Sequence, residues 1–443
     1  MVYRANLALL VLQDQLAGPF VGNIARTRRK VTLVNNIKEV AVIGLGYIGL
    51  PTAAILASKG ITVKGVDVTP RTVEAVNKGE VPFVEPALGE FVSAAVTAGT
   101  LSASFDTPEA EAYIVAVPTP FNDDYTADLS YIEAAAEGIA PKLKGGELVI
   151  LESTSPPGAT QHLFDYLLKK RPDLNKDSLL VAHCPERVLP GYVMEELVTN
   201  DRIVGGITPE AAEKAKALYE TFCQAAILTT DAKTAEMAKL VENSYRDVNI
   251  AFANELSVIS DKLGIDVWEL ISLANRHPRV NILQPGPGVG GHCIAVDPWF
   301  IVSAAPEESK LIRMARNTND AKPNWVIDKV VEATKLPSFN GKVAVMGLAF
   351  KANIDDMRES PSIAIARKLA EANPTVEFLA VEPHVEELPK NLAGIANLKL
   401  VATDEALESA SVITLLVDHD QFKSVPATAL AGKEVIDTRG LWR

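Results

Sequence analysis

The chain has 443 residues, of which 48% are hydrophobic and 22% charged, and its formal net charge is −13. Because a single ordinary core does not accommodate this length, we expect two or three globular domains. The negative charge argues against a nucleic-acid-binding protein, which needs a basic face to neutralise phosphates.

Residues 1–37 are predicted to form an extension outside the domains. An apolar stretch from Ala5 to Leu12 is followed by Asp14 and later by the basic run Arg26 to Lys30. A secretory signal has the reverse order, and the apolar stretch is too short to span a bilayer. We therefore expect a helix or a disordered arm that does not insert into a membrane.

Residues 38–207 alternate between short apolar runs and helical stretches. The run EVAVI meets a glycine turn and then an apolar-periodic segment that ends near Gly60, which predicts a strand, a turn and a helix. Further strands are predicted in ITVKGVD, AYIVAVP, ELVILEST and SLLVAHCPE. This alternation indicates a Rossmann-like domain with a doubly wound parallel sheet.

Residues 208–337 are predicted to form a helical middle domain, because Ala, Leu, Glu and Lys recur there at helical spacing. In residues 338–443 the first pattern returns, since KVAVMGLAF, VEFLAVEP and SVITLLVD echo EVAVIGLGY, ITVKGVDV and AYIVAVPT. The predicted class is α/β, with two Rossmann-like domains joined by a helical domain. A cleft between two such sheets suits a ligand in two parts.

A dinucleotide fingerprint lies at the first strand–helix junction. Gly44, Gly46 and Gly49 follow the strand directly, and Asp67 ends the next strand. Glycines at this spacing permit a tight turn and close approach to a pyrophosphate, and the acid accepts hydrogen bonds from a ribose. Asp67 would repel a ribose phosphate, which favours NAD over NADP, although the nearby Arg71 weakens that preference. The corresponding turn of the second half, GLAF from Gly347, lacks the later glycines and predicts a different nucleotide.

The three cysteines, Cys184, Cys223 and Cys293, lie far apart, and none forms a Cys-x-x-Cys pair. This spacing argues against a disulfide framework or a structural zinc site and is typical of a protein in a reducing cytoplasm. A zinc site made by Cys293 with His292 and Asp297 is also disfavoured, because adjacent residues seldom bind one ion. We therefore predict no metal.

Cys293 is a candidate nucleophile. Four glycines and two prolines precede it within the segment 281–300, and such a loop lets the backbone approach a ligand while it presents a thiol. The alternative is a buried small hydrophobic residue. A reactive thiol needs a cationic neighbour. Lys239 is a candidate, since it lies one helical turn from Asn243 and both could point at one oxygen, but a solvated polar helix face explains that pair equally well.

With these residues in view, the sequence from about Val40 to Arg443 resembles the UDP-glucose/GDP-mannose dehydrogenase family, in particular a member that oxidises a UDP-N-acetylhexosamine. The motifs that carry the resemblance are GLGYIGLP, LESTSPPG, CPERVLPG, RHPRVNILQPGPGVGGHCIAVDPWFI, GLAFKANIDDMRESP and LLVDHDQFK. The resemblance implies oxidation of a primary alcohol to a carboxylate in two NAD-dependent steps, through a thiohemiacetal and a thioester on Cys293.

The resemblance also implies roles for further residues. Lys239 and Asn243 would stabilise the oxyanion, Asp297 and Thr154 would position the water or base, and Glu186 would assist thioester hydrolysis. In CPERVLPG, Pro190 stands where glucose-type enzymes commonly carry a second acid, so water activation would rely on Glu186 and Asp297.

The implied NAD contacts, besides the fingerprint glycines, are Tyr47, Ile48, Asp67, Thr119 and Thr154. The implied nucleotide-sugar contacts are Lys239, Asn243, Arg187, Val188, Arg246, His277, Arg279, Gly290, Phe350, Lys351, Arg358 and Arg439. A second subunit can supply some of them, because the helical domain of this family usually forms a symmetric homodimer.

Two other functions are alternatives to this reaction. A two-electron dehydrogenase with the same architecture would make Cys293 dispensable, and the glycine-rich loop argues against it. A non-catalytic sensor of NAD and UDP-sugar would need a broken set of reactive residues, yet Lys239, Asn243, Cys293 and Asp297 are all present. The sugar rests on resemblance alone, so UDP-N-acetylglucosamine, UDP-glucose and GDP-mannose stay open.

Overall fold

The computed structural model describes residues 37–122, 124–291 and 293–443. The predicted N-terminal extension, except Ile37, and His292 lie outside the described residues. Within the described ranges, no helix is both long and apolar enough to cross a membrane.

Eight strands of the described chain form the first sheet, in the order β3-β2-β1-β4-β5-β6-β7-β8. They are β1 Glu39–Ile43, β2 Thr62–Val66, β3 Leu101–Ser104, β4 Ala112–Val115, β5 Leu148–Leu151, β6 Leu180–His183, β7 Arg202–Gly206 and β8 Ile227–Asp231. Neighbouring strands are parallel except β6 and β7. Strands β4, β5 and β6 are buried along their whole length, as expected for a sheet with helices on both faces.

Most helices around this sheet follow a single strand, but two lie between β2 and β3 and none lies between β3 and β4. The helices are α1 Gly49–Ser58, α2 Pro70–Asn77, α3 Leu88–Thr97, α4 Ser130–Ile139, α5 Ala159–Lys170, α6 Val193–Thr199 and α7 Pro209–Tyr219, with short 3-10 helices at Ala140–Lys142 and Lys176–Ser178. The chain order reverses between β1 and β4, which is where a doubly wound sheet opens a ligand crevice.

The first sheet extends beyond the boundary predicted at residue 207. Strand β8 pairs with β7 in parallel over its full length, so the helical region begins only at Ala232. The sequence ILTTD is short and mostly exposed, and its strand conformation depends on pairing with β7 rather than on an apolar pattern. The boundary prediction was therefore wrong by about one strand and one helix.

The helical region consists of α8 Ala232–Leu263, α9 Val267–Ala274, α10 Asp297–Ala304 and α11 Lys310–Ala333. The side chain of Asp231 caps the start of α8 by accepting a hydrogen bond from the Thr234 amide. Polar side chains join α8 to α11: Arg316 donates to Asp247 (2.5 Å), and Asn254 donates to Asn319 (2.9 Å). Since these groups are buried, the pairing of the two helices is specific.

The C-terminal part contains a second, five-stranded sheet with the order β11-β10-β9-β12-β13, all parallel. Its strands are β9 Lys342–Met346, β10 Glu377–Val381, β11 Leu398–Leu400, β12 Val412–Leu415 and β13 Glu434–Asp437, and its helices are α12 Pro361–Ala372, α13 Thr403–Ser409, α14 Asp420–Lys423 and α15 Ala427–Leu430. This order repeats that of the first five strands. The predicted fold class, with two Rossmann-like parts and a helical centre, is confirmed.

Candidate active site

The fingerprint glycines form a tight cradle between β1 and α1. A side chain at Gly44 would place its Cβ 2.5 Å from the Ala116 carbonyl oxygen, and one at Gly49 would lie 1.9 Å from the Gly44 oxygen. In contrast, a Cβ at Gly46 would meet no atom of the described chain within 4 Å, so the turn is open on that side. The carboxylate of Asp67 accepts a hydrogen bond from the Leu45 amide (2.9 Å) and so lies beside the turn.

Other predicted NAD residues surround this cradle. Tyr47 is partly exposed and stacks on Phe83, with ring centroids 4.2 Å apart. Ile48 precedes the first residue of α1, and Thr154 is half-buried just beyond β5. The buried hydroxyl of Thr119 has no hydrogen-bond partner within the described part of the chain, so it can bind a polar ligand group. An open glycine turn, a neighbouring acid and a free hydroxyl fit NAD.

Cys293 and Asp297 lie one turn apart at the start of α10. The amide of Asp297 donates to the Cys293 carbonyl oxygen (2.9 Å), and the Asn243 side chain donates to the Asp297 carboxylate (2.5 Å). Leu240 on α8 packs against Phe300 of α10, which fixes this helix on α8. The structure thus brings together residues that are 54 positions apart in sequence.

The two alternatives considered for these residues were wrong. Cys293 is exposed rather than part of the core. Asn243 is buried and hydrogen-bonded to Asp297, so it does not belong to a solvated helix face. Lys239, one turn before Asn243, is half-buried and acts electrostatically on both Cys293 and Asp297.

The electrostatics of this group differ from the expectation for an activated thiol. Burial raises the pKa of Asp297 to about 6, against the opposing effects of the hydrogen bond from Asn243 and the charge of Lys239. Although Cys293 has exposed surface, partial desolvation of its thiol and the neighbouring Asp297 carboxylate raise the pKa of Cys293, and Lys239 only partly offsets them. Lys239 therefore does not hold the resting Cys293 as a thiolate, because Asp297 and the lost hydration outweigh it.

Glu186 follows β6 and is buried in an ion pair. Its carboxylate accepts a hydrogen bond from Arg202 (3.0 Å) and another from the Arg187 amide (2.7 Å). The Arg202 guanidinium lies 4.8 Å above the ring of Tyr219, in the interior. The side chain expected to assist thioester hydrolysis is thus held rigidly by a charged partner.

A second buried acid, Glu152, belongs to the same cluster, and sequence reasoning missed it. It accepts hydrogen bonds from Tyr219 (2.9 Å) and Thr52 (3.2 Å). Burial and the negative charge of Glu186 raise the pKa of Glu152 to about 7, while Arg202 opposes this shift. The available signal was an acid directly after the apolar run LVIL and an arginine opening the strand-like run RIVGG.

The predicted nucleotide-sugar residues differ in their surroundings. Three arginines are paired with acids: Arg187 with Glu242 (2.6 Å), Arg358 with Asp356 (2.6 Å) and Arg439 with Asp418 (2.7 Å). Arg246, His277, Arg279 and Lys351 are exposed, and no hydrogen bond among the described residues ties their side chains to the Cys293 loop. Val188 is half-buried against the core of the first sheet.

The glycine-rich loop before Cys293 rests on the C-terminal domain. A Cβ at Gly290 would lie 2.6 Å from the Glu359 carbonyl oxygen and 3.1 Å from the Cβ of Phe350. A Cβ at Gly286 would lie 2.8 Å from the Arg439 guanidinium. At Gly290 the neighbours are a backbone oxygen and a Cβ, so only glycine allows this approach, and the loop brings Gly290 and Phe350 of the predicted set together. At Gly286 the neighbour is the flexible end of Arg439, which also borders the loop.

The two Rossmann-like domains also meet across the cleft. The guanidinium of Arg358, a predicted nucleotide-sugar residue, lies 5.4 Å from the ring centroid of Tyr47, a predicted NAD residue. This distance is typical of a cation–π contact. One predicted substrate residue therefore lies against one predicted cofactor residue.

One anchor of this region was missed by sequence reasoning. Glu236 of α8 is almost fully buried and accepts hydrogen bonds from the amides of Gly158 (2.5 Å) and Thr160 (2.6 Å) and from the Thr160 hydroxyl (2.6 Å). It fixes the end of the LESTSPPG motif to the helix that carries Lys239 and Asn243. Its only signal in the sequence is an acid on the buried face of a helix.

The chain is similar to other proteins over nearly its whole length. It is 55% identical over 415 residues to an NDP-N-acetyl-D-galactosaminuronic acid dehydrogenase of Ralstonia nicotianae, covering 92% of this chain and 97% of the relative. It is 54% identical over 418 residues to a UDP-N-acetyl-D-mannosamine dehydrogenase of Salmonella typhi, covering 91% and 99%. The solved UDP-N-acetylmannosamine dehydrogenase of Pyrococcus horikoshii superposes with a TM-score of 0.81 at 36% identity, covering 91% of this chain and 96% of that one.

Three family models match the chain in succession. They describe the NAD binding domain (residues 38–223), the central domain (233–321) and the UDP binding domain (344–443) of the UDP-glucose/GDP-mannose dehydrogenase family. These matches confirm the resemblance noted in the motifs and the prediction of NAD as cofactor. The chain belongs to the UDP-glucose/GDP-mannose dehydrogenase family.

Proposed function

We propose that this protein oxidises UDP-N-acetyl-D-mannosamine to UDP-N-acetyl-D-mannosaminuronate in a four-electron, NAD-dependent reaction. The observation that carries the proposal is the group of Cys293, Asp297, Asn243 and Lys239 at the loop between the two nucleotide-binding domains. The sugar is taken from the names of the Salmonella typhi and Pyrococcus horikoshii relatives. The Ralstonia relative carries a galactosaminuronate name, which makes that sugar the main competitor.

The residues of the chain support two oxidations at one carbon. Bound NAD supplies the hydride acceptor for each oxidation. Cys293 adds to the aldehyde carbon and holds it as a thiohemiacetal, which becomes a thioester after the second oxidation and is cleaved by water. Because the resting Cys293 thiol is protonated, its proton must leave during addition, and Asp297, ionised above a pH of about 6, is available to accept it.

Lys239 and Asn243 provide positive charge and an amide donor for the oxygen that becomes negative. Their positions are fixed before the reaction, since both lie on α8 and Asn243 is buried against α10. Loss of one such preorganised donor commonly costs about a hundredfold or more in rate. Glu186 and Thr154 complete the set by orienting the water that attacks the thioester.

The assembly and the cellular role follow the same proposal. A row of exposed apolar side chains on α8 supports a symmetric homodimer, in which the partner supplies Arg279 or His277 to the site. All three cysteines are free, which suits a cytoplasmic enzyme. The uronate product would serve as a sugar donor for a surface polysaccharide.

The stoichiometry of NADH tests the four-electron reaction. The purified protein is incubated with limiting UDP-N-acetyl-D-mannosamine and excess NAD, and we expect two NADH and one uronate per sugar. Cys293→Ser should yield no free acid, whereas Cys223→Ser, which alters a cysteine in the core of the first domain, should keep the two-to-one ratio. A one-to-one ratio in the wild-type protein would contradict the proposal.

A substrate panel tests the sugar. The galactosamine, glucosamine and mannosamine forms of the UDP-N-acetylhexosamine, with UDP-glucose and GDP-mannose, are compared by kcat/KM at saturating NAD. We expect the mannosamine substrate to have the highest value. A higher kcat/KM for any other member of the panel would replace the proposed sugar and leave the reaction type intact.

A further inference from the structure

A buried pair of titratable side chains in the C-terminal domain takes no part in the chemistry above. Glu382 follows β10 and His419 precedes α14, and both are almost fully buried. The His419 Nε2 atom lies 3.1 Å from the Glu382 carboxylate. Neither residue belongs to the predicted site.

The hydrogen bonds around His419 determine its tautomer. Its Nδ1 accepts a hydrogen bond from the backbone amide of Asn353 (3.0 Å), so this nitrogen carries a lone pair. The ring proton therefore lies on Nε2 and is donated to Glu382. His419 thus connects a backbone donor on one side to a carboxylate on the other.

Glu382 in turn holds the turn that follows β9. Its Oε2 accepts hydrogen bonds from the amides of Leu348 (2.8 Å) and Ala349 (3.0 Å) in addition to that from His419. Burial alone would raise the pKa of Glu382, but these donors outweigh it and lower the pKa, so the carboxylate is ionised. In the first domain Asp67 binds the equivalent Leu45 amide in the same way, and Glu382 in addition fixes the amide of Ala349, which stands where the first domain has Gly46.

Together the two residues fix both ends of the segment 348–353. Leu348 and Ala349 are held by Glu382, and Asn353, which has a left-handed backbone (φ 63°), is held by His419. Phe350 and Lys351, two predicted nucleotide-sugar contacts, lie between these anchors. Phe350 also borders Gly290 and Gly291, directly before the reacting thiol.

We propose that Glu382 and His419 are positioning residues for the nucleotide-sugar site, which set the conformation of the segment 348–353 without touching the substrate. This inference rests on the proposed function, since it assumes that Phe350 and Lys351 bind the UDP-sugar. A weakened pair should impair binding of the UDP moiety before it impairs NAD binding, because the NAD turn belongs to the other sheet.

A metal site is the competing interpretation of the same residues. Ligand atoms of Glu382, His419 and the exposed His384 lie within 4.8 Å of one another. A metal on His419 Nε2 would need the lone pair there and the proton on Nδ1, yet Nδ1 faces the Asn353 amide donor. The observed hydrogen bonds therefore favour the positioning role, and His384 distinguishes the two.

The test compares two amides at position 419. In His419→Gln, the amide oxygen and the NH2 group are about as far apart as the two ring nitrogens of histidine. They can still bridge the Asn353 backbone amide and the Glu382 carboxylate. The shorter side chain of His419→Asn reaches only one of these two partners. We expect His419→Asn to raise KM for the UDP-sugar and the inhibition constant of UDP roughly tenfold, the usual cost of an unpaired buried polar group. KM for NAD should stay unchanged, and His419→Gln should restore most of the loss.

His384→Asn serves as the matched surface control and should behave as the wild-type protein. Equal KM values in His419→Asn and the wild-type protein, or a lower kcat with unchanged KM, would overturn the positioning role. A loss in His384→Asn as large as that in His419→Asn, together with sensitivity to a chelator, would establish the metal site instead.

Two further measurements distinguish failure of the positioning role from a folding defect and from failure of the proposed function. If His419→Asn does not fold, Glu382→Gln gives the same comparison. Its amide can offer the oxygen to Leu348 and Ala349 only by turning the NH2 group towards the His384 backbone amide, which donates to Glu382 Oε1 (3.2 Å). An unchanged UDP inhibition constant would refute the inference. Failure of the proposed function would be seen separately, as absence of UDP-sugar turnover in the wild-type protein.

Discussion

The pKa of the Cys293 thiol depends on its burial and on two neighbouring charges of opposite sign. Partial desolvation and the Asp297 carboxylate favour the neutral thiol, whereas Lys239 favours the thiolate. A protonated resting thiol is protected from oxidation, since the thiolate is the reactive form. Binding of a substrate oxygen beside Lys239 and Asn243 would then coincide with loss of the thiol proton.

Removal of the Asp297 charge should activate the thiol. In Asp297→Asn the amide oxygen can still accept the hydrogen bond from Asn243, but Lys239 becomes the dominant charge, so the pKa of Cys293 falls. We expect alkylation by iodoacetamide at neutral pH to accelerate several-fold, given that each unit of pKa is about a tenfold change in thiolate while the thiol stays mostly protonated. Cys293→Ser identifies the labelled site, because Cys184 and Cys223 are buried. Unchanged or slower alkylation would show that Asp297 does not control the thiol.

The same carboxylate should determine the acid limb of the pH profile. Burial raises the pKa of Asp297 to about 6, so the side chain loses its ability to accept a proton as the pH falls through that value. Since kcat/KM reports the free enzyme, its acid limb should have an apparent pKa of about 6. Asp297→Asn should have low activity and lack this limb. A limb at the ordinary carboxyl value in the wild-type protein would contradict the assignment.

At the scale of helices and strands, the sequence predicted those elements whose own residue pattern is enough to identify them. Strands β1, β4 and β5 are apolar runs that are almost wholly buried in a parallel sheet, and they were predicted. The short strands LSAS and LKL, by contrast, were not, because their strand conformation arises from pairing with an existing neighbour.

The same distinction separates the predictable and unpredictable parts of the site. The glycine turn and Asp67 are local signals with fixed spacing, and the structure places them together. The Asn243–Asp297 bond, the Glu152–Arg202 cluster and the Glu382–His419 pair join residues distant in sequence, so only tertiary packing reveals them. The effect of Asp297 on the thiol pKa was missed for the same reason.

Glu236 should be the main anchor between α8 and the LESTSPPG motif. In Glu236→Ala the buried amides of Gly158 and Thr160 lose their acceptor, and the free energy of unfolding should fall by about 2–3 kcal/mol. Glu255→Ala, which alters an exposed glutamate of the same helix, is the control and should change stability little. Urea denaturation followed by circular dichroism measures both. Equal midpoints for the two variants would refute the anchoring role.

For the whole molecule, the repeated architecture supplies an NAD binding domain and a UDP binding domain, built on similar sheets, in one chain. In both sheets the acid after the second strand accepts a hydrogen bond from the amide that follows the first glycine, Asp67 from Leu45 and Glu382 from Leu348. Glu382 also binds the Ala349 amide, whereas the equivalent Gly46 leaves its side of the turn open. The contact between Tyr47 and Arg358 joins a predicted NAD residue of one half to a predicted nucleotide-sugar residue of the other.

The helical domain should hold two copies of this architecture together. Five exposed apolar side chains of α8 recur at intervals of four and seven residues and so form one stripe: Val241, Tyr245, Phe252, Ile259 and Leu263. A helix of 32 residues is about 48 Å long, so a second copy packed along it would bury an extended apolar seam. Exposed stripes of this extent are typical of subunit interfaces.

Charges placed in this stripe should separate the subunits. We expect the double variant Tyr245→Glu/Phe252→Glu to weaken self-association at least about a hundredfold, because buried aromatic residues commonly dominate interface energy and two carboxylates would face their symmetry mates. Tyr192→Glu, at an exposed tyrosine of the first domain, should leave the dimer intact. Sedimentation velocity over a concentration series measures both variants.

If the partner supplies Arg279 or His277 to the site, UDP-sugar turnover should fall in parallel with the dimer fraction, while NAD binding to the monomer persists. A wild-type protein that is monomeric would refute the dimer. A double variant that stays dimeric would show that the interface lies elsewhere.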